Sequence, residues 1–267
     1  MPLTSLQKRI ITALLLVAAL TAALIMGGLV LTGGLAIFCT IALHEFYAMF
    51  WQDNSHLVSR IVGMAAGAGV ILTSSAVSPV WMLLILLGAF WLFNFRFLFS
   101  FSAKPDQATY VDSLILFSGL VYIPVTMQFM TSMSSWEILF VLLAASSSDT
   151  IAFYAGTFLG KKKIWPRISP KKSWAGSIGG FLGCIVCCSL YGYYFGHAPI
   201  LYWAALAAVL NIGSQMGDFF ESALKRKLNI KDSGKILPGH GGVLDRIDSL
   251  VLALPVYILA RQIHAFF

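Results

Sequence analysis

Long apolar runs without a charged residue are the feature that most constrains the fold of this chain. Ile10–Val30 and Val80–Phe93 are two examples. A helix needs about 20 predominantly apolar residues to cross a bilayer. A transmembrane β-barrel would instead alternate apolar and polar residues over segments of about ten residues. The runs therefore predict an all-α fold, a polytopic transmembrane helical bundle.

The composition excludes several classes of protein. Of the 267 residues, 58% are hydrophobic and 11% are charged, whereas a soluble domain carries about 25% charged residues. A soluble enzyme, a disordered chain and a disulfide scaffold are therefore excluded. The four cysteines lie in apolar runs, and Cys184 and Cys187 have no second Cys/His pair beside them. We expect buried, reduced thiols and no zinc site.

The pattern predicts about nine spans with short connections. Their approximate ranges are 8–27, 29–50, 60–78, 80–100, 111–131, 136–159, 176–196, 198–220 and 242–263. With the N-terminus in the cytoplasm, the inside segments hold Lys8, Arg9, Arg60, Arg96, Lys104, Lys161–Lys163, Arg167, Lys171, Lys172 and the cations of Lys225–Lys235. Only Arg261 falls outside. This asymmetry follows the positive-inside rule, and it explains most of the net charge of +7 without a nucleic-acid partner.

The two halves of the chain differ in character. Residues 1–135 are apolar with few polar side chains, and we expect them to be structural helices that make lipid and dimer contacts. Residues 136–267 hold most of the charge, close to the membrane, and we expect a catalytic region with cytoplasmic basic loops there.

Acidic residues inside the spans are the first candidates for function, because each costs about 2.5–3.5 kcal/mol on insertion scales. The candidates are Asp149, midway along the sixth span, and Asp218, Glu221, Asp245 and Asp248, near the inner ends of the last two spans. The i, i+3 spacings of 218/221 and 245/248 predict that each pair shares a helix face. Carboxylates at a wet site suit Mg²⁺. The alternative is a structural network in which these acids pair with Lys225, Arg226 and Arg246.

Two basic loops, 161–176 and 225–235, flank these acids. Membrane topology or attraction to anionic lipid would explain them, but their Ser, Gly and Pro residues also allow backbone N–H groups to bind a phosphate. His240-Gly241-Gly242 permits close approach of the backbone to a ligand. His44-Glu45, near the end of the second span, is interpreted as a structural or interfacial pair.

The stretch Ser222–Asp248 resembles the signature of the phosphatidate cytidylyltransferases, or CDP-diacylglycerol synthases. The matching residues are Ser222-Ala-Leu-Lys-Arg226, Lys231-Asp232, Gly234, Pro238-Gly-His-Gly-Gly242, Val243 and Asp245-Arg-Ile-Asp248. Asp149–Gly156 and Ser169–Gly176 resemble two further family motifs, with Phe153 in place of Tyr and Ala175 in place of the usual Glu. The resemblance is close in the C-terminal half and extends to the N-terminal half only in hydropathy.

The resemblance implies transfer of CMP from CTP to phosphatidate, giving CDP-diacylglycerol and pyrophosphate, with Mg²⁺ and room for a second cation. It implies catalytic roles for Asp218, Asp245, Asp248, His240, Lys225 and Arg246. It implies substrate binding by Lys171, Lys172, Ser173, Ser222, Arg226, Gly241 and Gly242, and metal binding by Asp218, Asp245 and Asp149. It also implies a homodimer that contacts membrane lipids. We expect a bacterial inner-membrane protein whose active site faces the cytoplasm.

Two alternatives remain at this point. One is a cytidylyltransferase for a different lipid phosphate, whose head-group motifs would look alike. The other is an ion-coupled membrane transporter, which also uses buried acids and broken helices.

Overall fold

The computed structural model describes residues 4–52, 56–76, 78–103 and 105–267. Lys104, one of the predicted inside cations, lies outside these ranges. Within them the chain forms ten α-helices and no β-strand. The helices are α1 (Ser5–Met26), α2 (Gly28–Phe50), α3 (Leu57–Thr73), α4 (Pro79–Ala103), α5 (Tyr110–Tyr122), α6 (Pro124–Met127), α7 (Ser135–Leu159), α8 (Trp174–Phe195), α9 (Ile200–Lys227) and α10 (Asp248–Ile263).

The predicted all-α polytopic bundle is confirmed. In the described part of the chain, seven helical stretches are long and apolar enough to cross a membrane, while α3 is a shorter apolar helix. One of the seven, Tyr110–Ser132, is built from α5, α6 and a 3-10 turn. The helix is interrupted at Pro124, the first residue of α6, because proline lacks a backbone N–H and cannot continue the hydrogen-bond pattern.

Two predicted boundaries are wrong near the acidic residues. Helix α9 continues to Lys227, because Glu221 and Lys225 form an i, i+4 pair of 3.2 Å in its last turns. The last predicted span begins at Asp248 instead of residue 242, because a 3-10 turn, Leu244–Arg246, precedes it. The prediction that Asp245 and Asp248 share one helix face is therefore wrong, since only Asp248 lies in α10.

The chain forms two compact units. The first comprises Met1–Ser132 together with Asp232–Asp245, and the second comprises Met133–Lys231 together with Arg246–Phe267. The first boundary lies close to the predicted division at residue 135. Asp232–Asp245, which we call the glycine-rich segment, is in the C-terminal half of the sequence but folds with the first unit.

In the first unit, α3 and α5 pack against Tyr47 of α2. The Tyr47 hydroxyl donates to the carbonyl of Leu116 at 2.9 Å. A Cβ atom added at Gly63 or at Gly119 would lie 2.6 Å from the Tyr47 ring. Glycine at these two positions lets the ring fill the space between α3 and α5, and the ring is fully buried.

In the second unit, small residues let α8 approach α7 closely. A Cβ atom added at Gly180 of α8 would lie 2.7 Å from the Ser148 carbonyl oxygen, and one at Gly176 would lie 2.7 Å from that of Ala152. Close approach through small residues is typical of membrane helices. It brings the C-terminal half of α7 beside the start of α8, where the candidate site lies.

Gly180→Ala is expected to destabilise the protein by about 1–3 kcal/mol, because the added methyl group forces backbone atoms of α7 and α8 apart. Gly69→Ala in α3 is the matched control, since a Cβ atom at Gly69 has no heavy atom within 4 Å. Thermal unfolding of the purified proteins in detergent measures both. Equal unfolding midpoints for the two variants would contradict the close-packing argument.

Candidate functional site

A cavity of about 640 Å³ lies within the second unit. Its walls come from the C-terminal half of α7, the loop 160–173, the start of α8 and the middle of α9. The polar and charged side chains that line it belong to Ser148, Asp149, Thr157, Lys163, Lys171, Lys172, Ser173, Ser177, Gln215 and Asp218. Five residues that the sequence assigned to the site therefore line one cavity: Asp149, Lys171, Lys172, Ser173 and Asp218.

The loop 160–173 is held in place by backbone hydrogen bonds across its ends. The N–H of Ile164 donates to the Lys172 carbonyl at 3.2 Å, and the N–H of Trp174 donates to the Lys162 carbonyl at 3.0 Å. Ser173 is the N-cap of α8, and its buried hydroxyl accepts from the N–H of Gly176 at 3.2 Å. These bonds fix Lys171 and Lys172 at the cavity wall. The observed role of Ser173 is to cap helix α8.

Asp218 and Lys172 form the central ion pair of the cavity. The ammonium of Lys172 donates to Oδ2 of Asp218, and it lies 4.5 Å from the centre of the Phe219 ring, within the range of a cation–π contact. The Ser222 hydroxyl donates to Oδ1 of Asp218 at 3.2 Å. The Asp218 carboxylate thus connects Lys172 of the loop to Ser222 of α9.

A row of polar side chains along α9 extends from this ion pair into the apolar part of the helix. Asn211, Gln215, Asp218 and Ser222 follow one another at spacings of four, three and four residues, which place them on one face. The Asn211 amide donates to the Ser148 hydroxyl at 2.7 Å, and the Gln215 amide donates to Asn211 Oδ1 at 2.6 Å. The sequence reasoning missed Asn211 and Gln215, although their helical spacing from Asp218 was the signal.

Lys225 and Asp248 are engaged in contacts at α9 and α10. Lys225 is buried and pairs with Glu221 of its own helix at 3.2 Å. Asp248 Oδ1 accepts from the N–H of Ser249 at 2.7 Å at the start of α10. For Lys225 this contact agrees with the structural ion-pair alternative. Its predicted role in catalysis, and that of Asp248, stay predictions.

The two arginines of the predicted site differ in their surroundings. Arg226 donates from Nε to the Ile168 carbonyl and from Nη1 to the Ile230 carbonyl, both at 3.3 Å. It thereby connects the end of α9 to the loop 160–173. Arg246 follows the glycine-rich segment and is exposed.

The glycine-rich segment is a compact turn in the first unit. Leu237 pairs with Gly241 across the turn, and Gly239 and Gly241 have φ values of 78° and 84°, which favour glycine. His240 is half-buried at the tip. The Asp245 carboxylate accepts from the N–H of Gly242 at 2.9 Å and from that of Ser233 at 3.1 Å. Asp245 thus closes the turn in which the predicted residues His240, Gly241 and Gly242 lie.

Glu45 of α2 contacts this turn, which the sequence reasoning did not predict. It is 2% exposed, and its Oε2 atom accepts from the N–H of Leu244 at 2.9 Å and from the Ser233 hydroxyl at 3.3 Å. Its neighbour His44 is exposed. The two residues therefore lie in different surroundings, and Glu45 bonds to the glycine-rich segment.

The donor set of the cavity suits a cation bound together with phosphates. Among the described residues, no group of three or more His, Cys, Asp or Glu side chains could hold a metal ion. Asp149 and Asp218, however, line the same cavity. Mg²⁺ usually takes one or two carboxylates and completes its coordination with water and substrate phosphates. Two carboxylates in a cavity with three lysines fit that mode. The predicted set of Asp218, Asp245 and Asp149 stays a prediction.

Comparison with known proteins gives concordant matches along the chain. The sequence pattern described as "Cytidylyltransferase family" matches residues 7–264. A phosphatidate cytidylyltransferase of Staphylococcus aureus is 32% identical over 257 residues, which cover 94% of this chain and 96% of the relative. The enzyme of the same name from Rickettsia bellii is 32% identical over 227 residues, or 80% of this chain and 94% of the relative. That of Staphylococcus saprophyticus is 30% identical over 269 residues, or 96% and 100%.

Proposed function

The chain belongs to the cytidylyltransferase family, and from this premise we propose that it transfers CMP from CTP to phosphatidate, releasing pyrophosphate and forming CDP-diacylglycerol. One observation in the structure carries the proposal. A single cavity, formed by helices long and apolar enough to cross a membrane, contains three lysines of a fixed loop and two carboxylates. Such a site suits a reaction between a lipid phosphate and a nucleoside triphosphate.

The proposed reaction is an in-line phosphoryl transfer. A phosphate oxygen of phosphatidate attacks the α-phosphorus of CTP, the bond between that phosphorus and the bridging oxygen to the β-phosphorus breaks, and pyrophosphate leaves with the bonding electrons. The second pKa of a phosphate monoester is about 6, so the nucleophile is largely anionic at neutral pH. No general base or covalent intermediate is needed. Catalysis then depends on positioning and on neutralising charge.

Each part of this role falls to named residues of the cavity. Lys171 and Lys172 would bind phosphate oxygens, and Lys172 would exchange its contact with Asp218 for one with substrate. Asp149 and Asp218 would hold Mg²⁺, which when bound supplies positive charge to the phosphates. Gln215 and the other polar residues on this face of α9 would hold the Asp218 side chain in its position at the cavity. Ser222 would keep the Asp218 carboxylate in one orientation through its hydrogen bond.

Localisation and assembly extend the proposal. The chain is expected to lie in a bacterial inner membrane with the cavity facing the cytoplasm, where soluble CTP is available. The concentration of Lys and Arg in the segments assigned to that side supports this orientation, and the relatives are bacterial. A homodimer is proposed on the resemblance alone.

The proposal is tested by incubating the purified protein with CTP, Mg²⁺ and phosphatidate in mixed detergent micelles. Release of pyrophosphate and formation of a CMP-bearing lipid in equal amounts are the expected results, and chelation by EDTA should abolish both. ATP in place of CTP is the matched control for the base. Absence of product with phosphatidate, in a sample that binds CTP, would contradict the assignment of the lipid.

The two alternatives make different predictions in the same preparation. A cytidylyltransferase for a different lipid phosphate would form a CMP-bearing product only when that lipid replaces phosphatidate. An ion-coupled transporter would move a solute across sealed vesicles without consuming CTP. The described cavity favours neither alternative.

A further inference from the structure

We propose that Glu45 of α2 is a positioning residue for this reaction, because its carboxylate holds the glycine-rich segment, Asp232–Asp245, in the conformation that the reaction requires. The inference rests on the proposed function, since that segment includes the predicted catalytic residues His240 and Asp245. Glu45 lies far from the family signature in sequence and is absent from the predicted site.

One oxygen of Glu45 ties together the two ends of the segment. Oε2 accepts from the hydroxyl of Ser233, near the start, at 3.3 Å, and from the N–H of Leu244, near the end, at 2.9 Å. Both bonds are buried, and the side chain is 2% exposed. In a buried setting, removing the acceptor would leave the Leu244 N–H without its hydrogen bond, which is strongly unfavourable. The two ends would then lose their common anchor.

The segment fits the Glu45 carboxylate so closely that two of its glycines have no room for a side chain. A Cβ atom added at Gly242 would lie 2.5 Å from Glu45 Oε2. One added at Gly234 would lie 2.9 Å from Glu45 Cγ and still closer to Oε1. The shape of the turn and the position of the carboxylate therefore depend on each other.

Asp245 of the same segment completes the arrangement. Ser233 donates its hydroxyl to Glu45 and its N–H to Asp245 at 3.1 Å. Gly242 donates its N–H to Asp245 at 2.9 Å and lies against Glu45. The two carboxylates thus share Ser233 and Gly242 as neighbours, and a displacement of Glu45 would be transmitted to Asp245 through these residues.

The surroundings of the second oxygen of Glu45 allow a variant to separate the hydrogen-bond acceptor from the negative charge. Oε1 is buried and has no hydrogen-bond partner among the described residues. An amide in place of the carboxylate could keep its oxygen at the Oε2 position and place its NH₂ group where Oε1 now lies. Glu45→Gln should therefore preserve both bonds to the segment, whereas Glu45→Ala removes them.

The test is a double-mutant cycle between Glu45 and Gly234, measured as CTP- and phosphatidate-dependent formation of liponucleotide. Glu45→Ala is expected to lower kcat about 10²-fold, the upper range for residues that orient a site from behind its ligands. The KM for CTP should stay within about threefold. Gly234→Ala should lower kcat because its methyl group collides with the carboxylate. The double variant should be no less active than Glu45→Ala alone, because the methyl group then fills the vacated space.

Three comparisons separate positioning from general loss of structure. His44→Ala, the exposed neighbour on the same helix, should keep wild-type kcat, and Glu45→Gln should keep at least about a tenth of it. Titration with CTP gives the concentration of binding-competent protein, so kcat refers to folded enzyme. If Glu45→Ala does not fold, Ser233→Ala removes only one of the two bonds and should lower kcat several-fold.

The proposal is overturned if folded Glu45→Ala or Ser233→Ala keeps the wild-type kcat. It is also overturned if the kcat of the double variant falls by the product of the two single-variant factors, or if Glu45→Gln is as inactive as Glu45→Ala. Failure of the proposed function looks different, because the wild-type protein would then form no CDP-diacylglycerol at all.

Discussion

Asp218→Asn is expected to lower kcat by about 10³-fold, the lower range for removing a group that controls charge in a phosphoryl-transfer site. Asn has nearly the shape of Asp, and its amide oxygen can still accept from Lys172 while its NH₂ group donates to the Ser222 hydroxyl, so the cavity should keep its form. It lacks the negative charge that binds Mg²⁺. Steady-state kinetics at several Mg²⁺ concentrations measure the effect, and the apparent affinity for Mg²⁺ should fall together with kcat.

The control for this variant is Asp106→Asn, the same chemical change at an exposed acid of the first unit. It should leave kcat and the Mg²⁺ dependence unchanged. If Asp218→Asn keeps kcat within about fivefold of wild type at saturating Mg²⁺, a loss well short of that expected for such a group, Asp218 does not hold the cation.

Lys172→Met is expected to lower kcat/KM by about 10²-fold. Methionine has a similar length, and its sulfur can pack on the Phe219 ring in place of the ammonium, so the change removes mainly the positive charge beside Asp218. The positive charge of Lys172 should interact most strongly with the negative charge on the phosphates in the transition state. The kcat should therefore fall by a larger factor than the KM for CTP rises. Initial rates over a matrix of CTP and phosphatidate concentrations separate the two parameters.

Lys227→Met is the matched control, since Lys227 is an exposed cation in the last turn of α9. It should keep wild-type kinetics, and its Mg²⁺ dependence should not change. Wild-type kcat/KM in Lys172→Met would mean that this lysine only neutralises Asp218 before substrate binds, and that Lys171 or another cation binds the phosphates.

The sequence alone determined the helices and part of the cavity. A charge-free run of about 20 residues has few alternatives to a membrane helix. Each of the nine predicted spans therefore overlaps a helical segment, although only seven stretches of the described chain are long and apolar enough to cross a membrane. An acid within such a run is costly, which singled out Asp149 and Asp218 before their common cavity was known. Lys171 and Lys172 were found because a short basic motif lies in a loop next to the same spans.

Only the tertiary structure decided which side chains are partners. Asp218 pairs with Lys172, whereas Lys225, for which a catalytic role was predicted, pairs with Glu221 of its own helix. Ser173 is occupied as a helix cap. The pairing of Asp218 with Lys172, 46 residues away in the sequence, depends on how the helices pack. The contacts of Lys225 and Ser173 are local, but the structure decided that these side chains make them.

Glu45 shows most clearly what could not be predicted from the sequence. It lies 188 residues from Ser233 and 199 residues from Leu244, to which it is hydrogen-bonded. In the sequence it is one acid at the end of an apolar run, with nothing nearby to indicate a partner. The sequence determined that an acid is present at that depth and that glycines occur in the distant segment. The fold brought the two together, and the buried carboxylate accepts hydrogen bonds from the segment there.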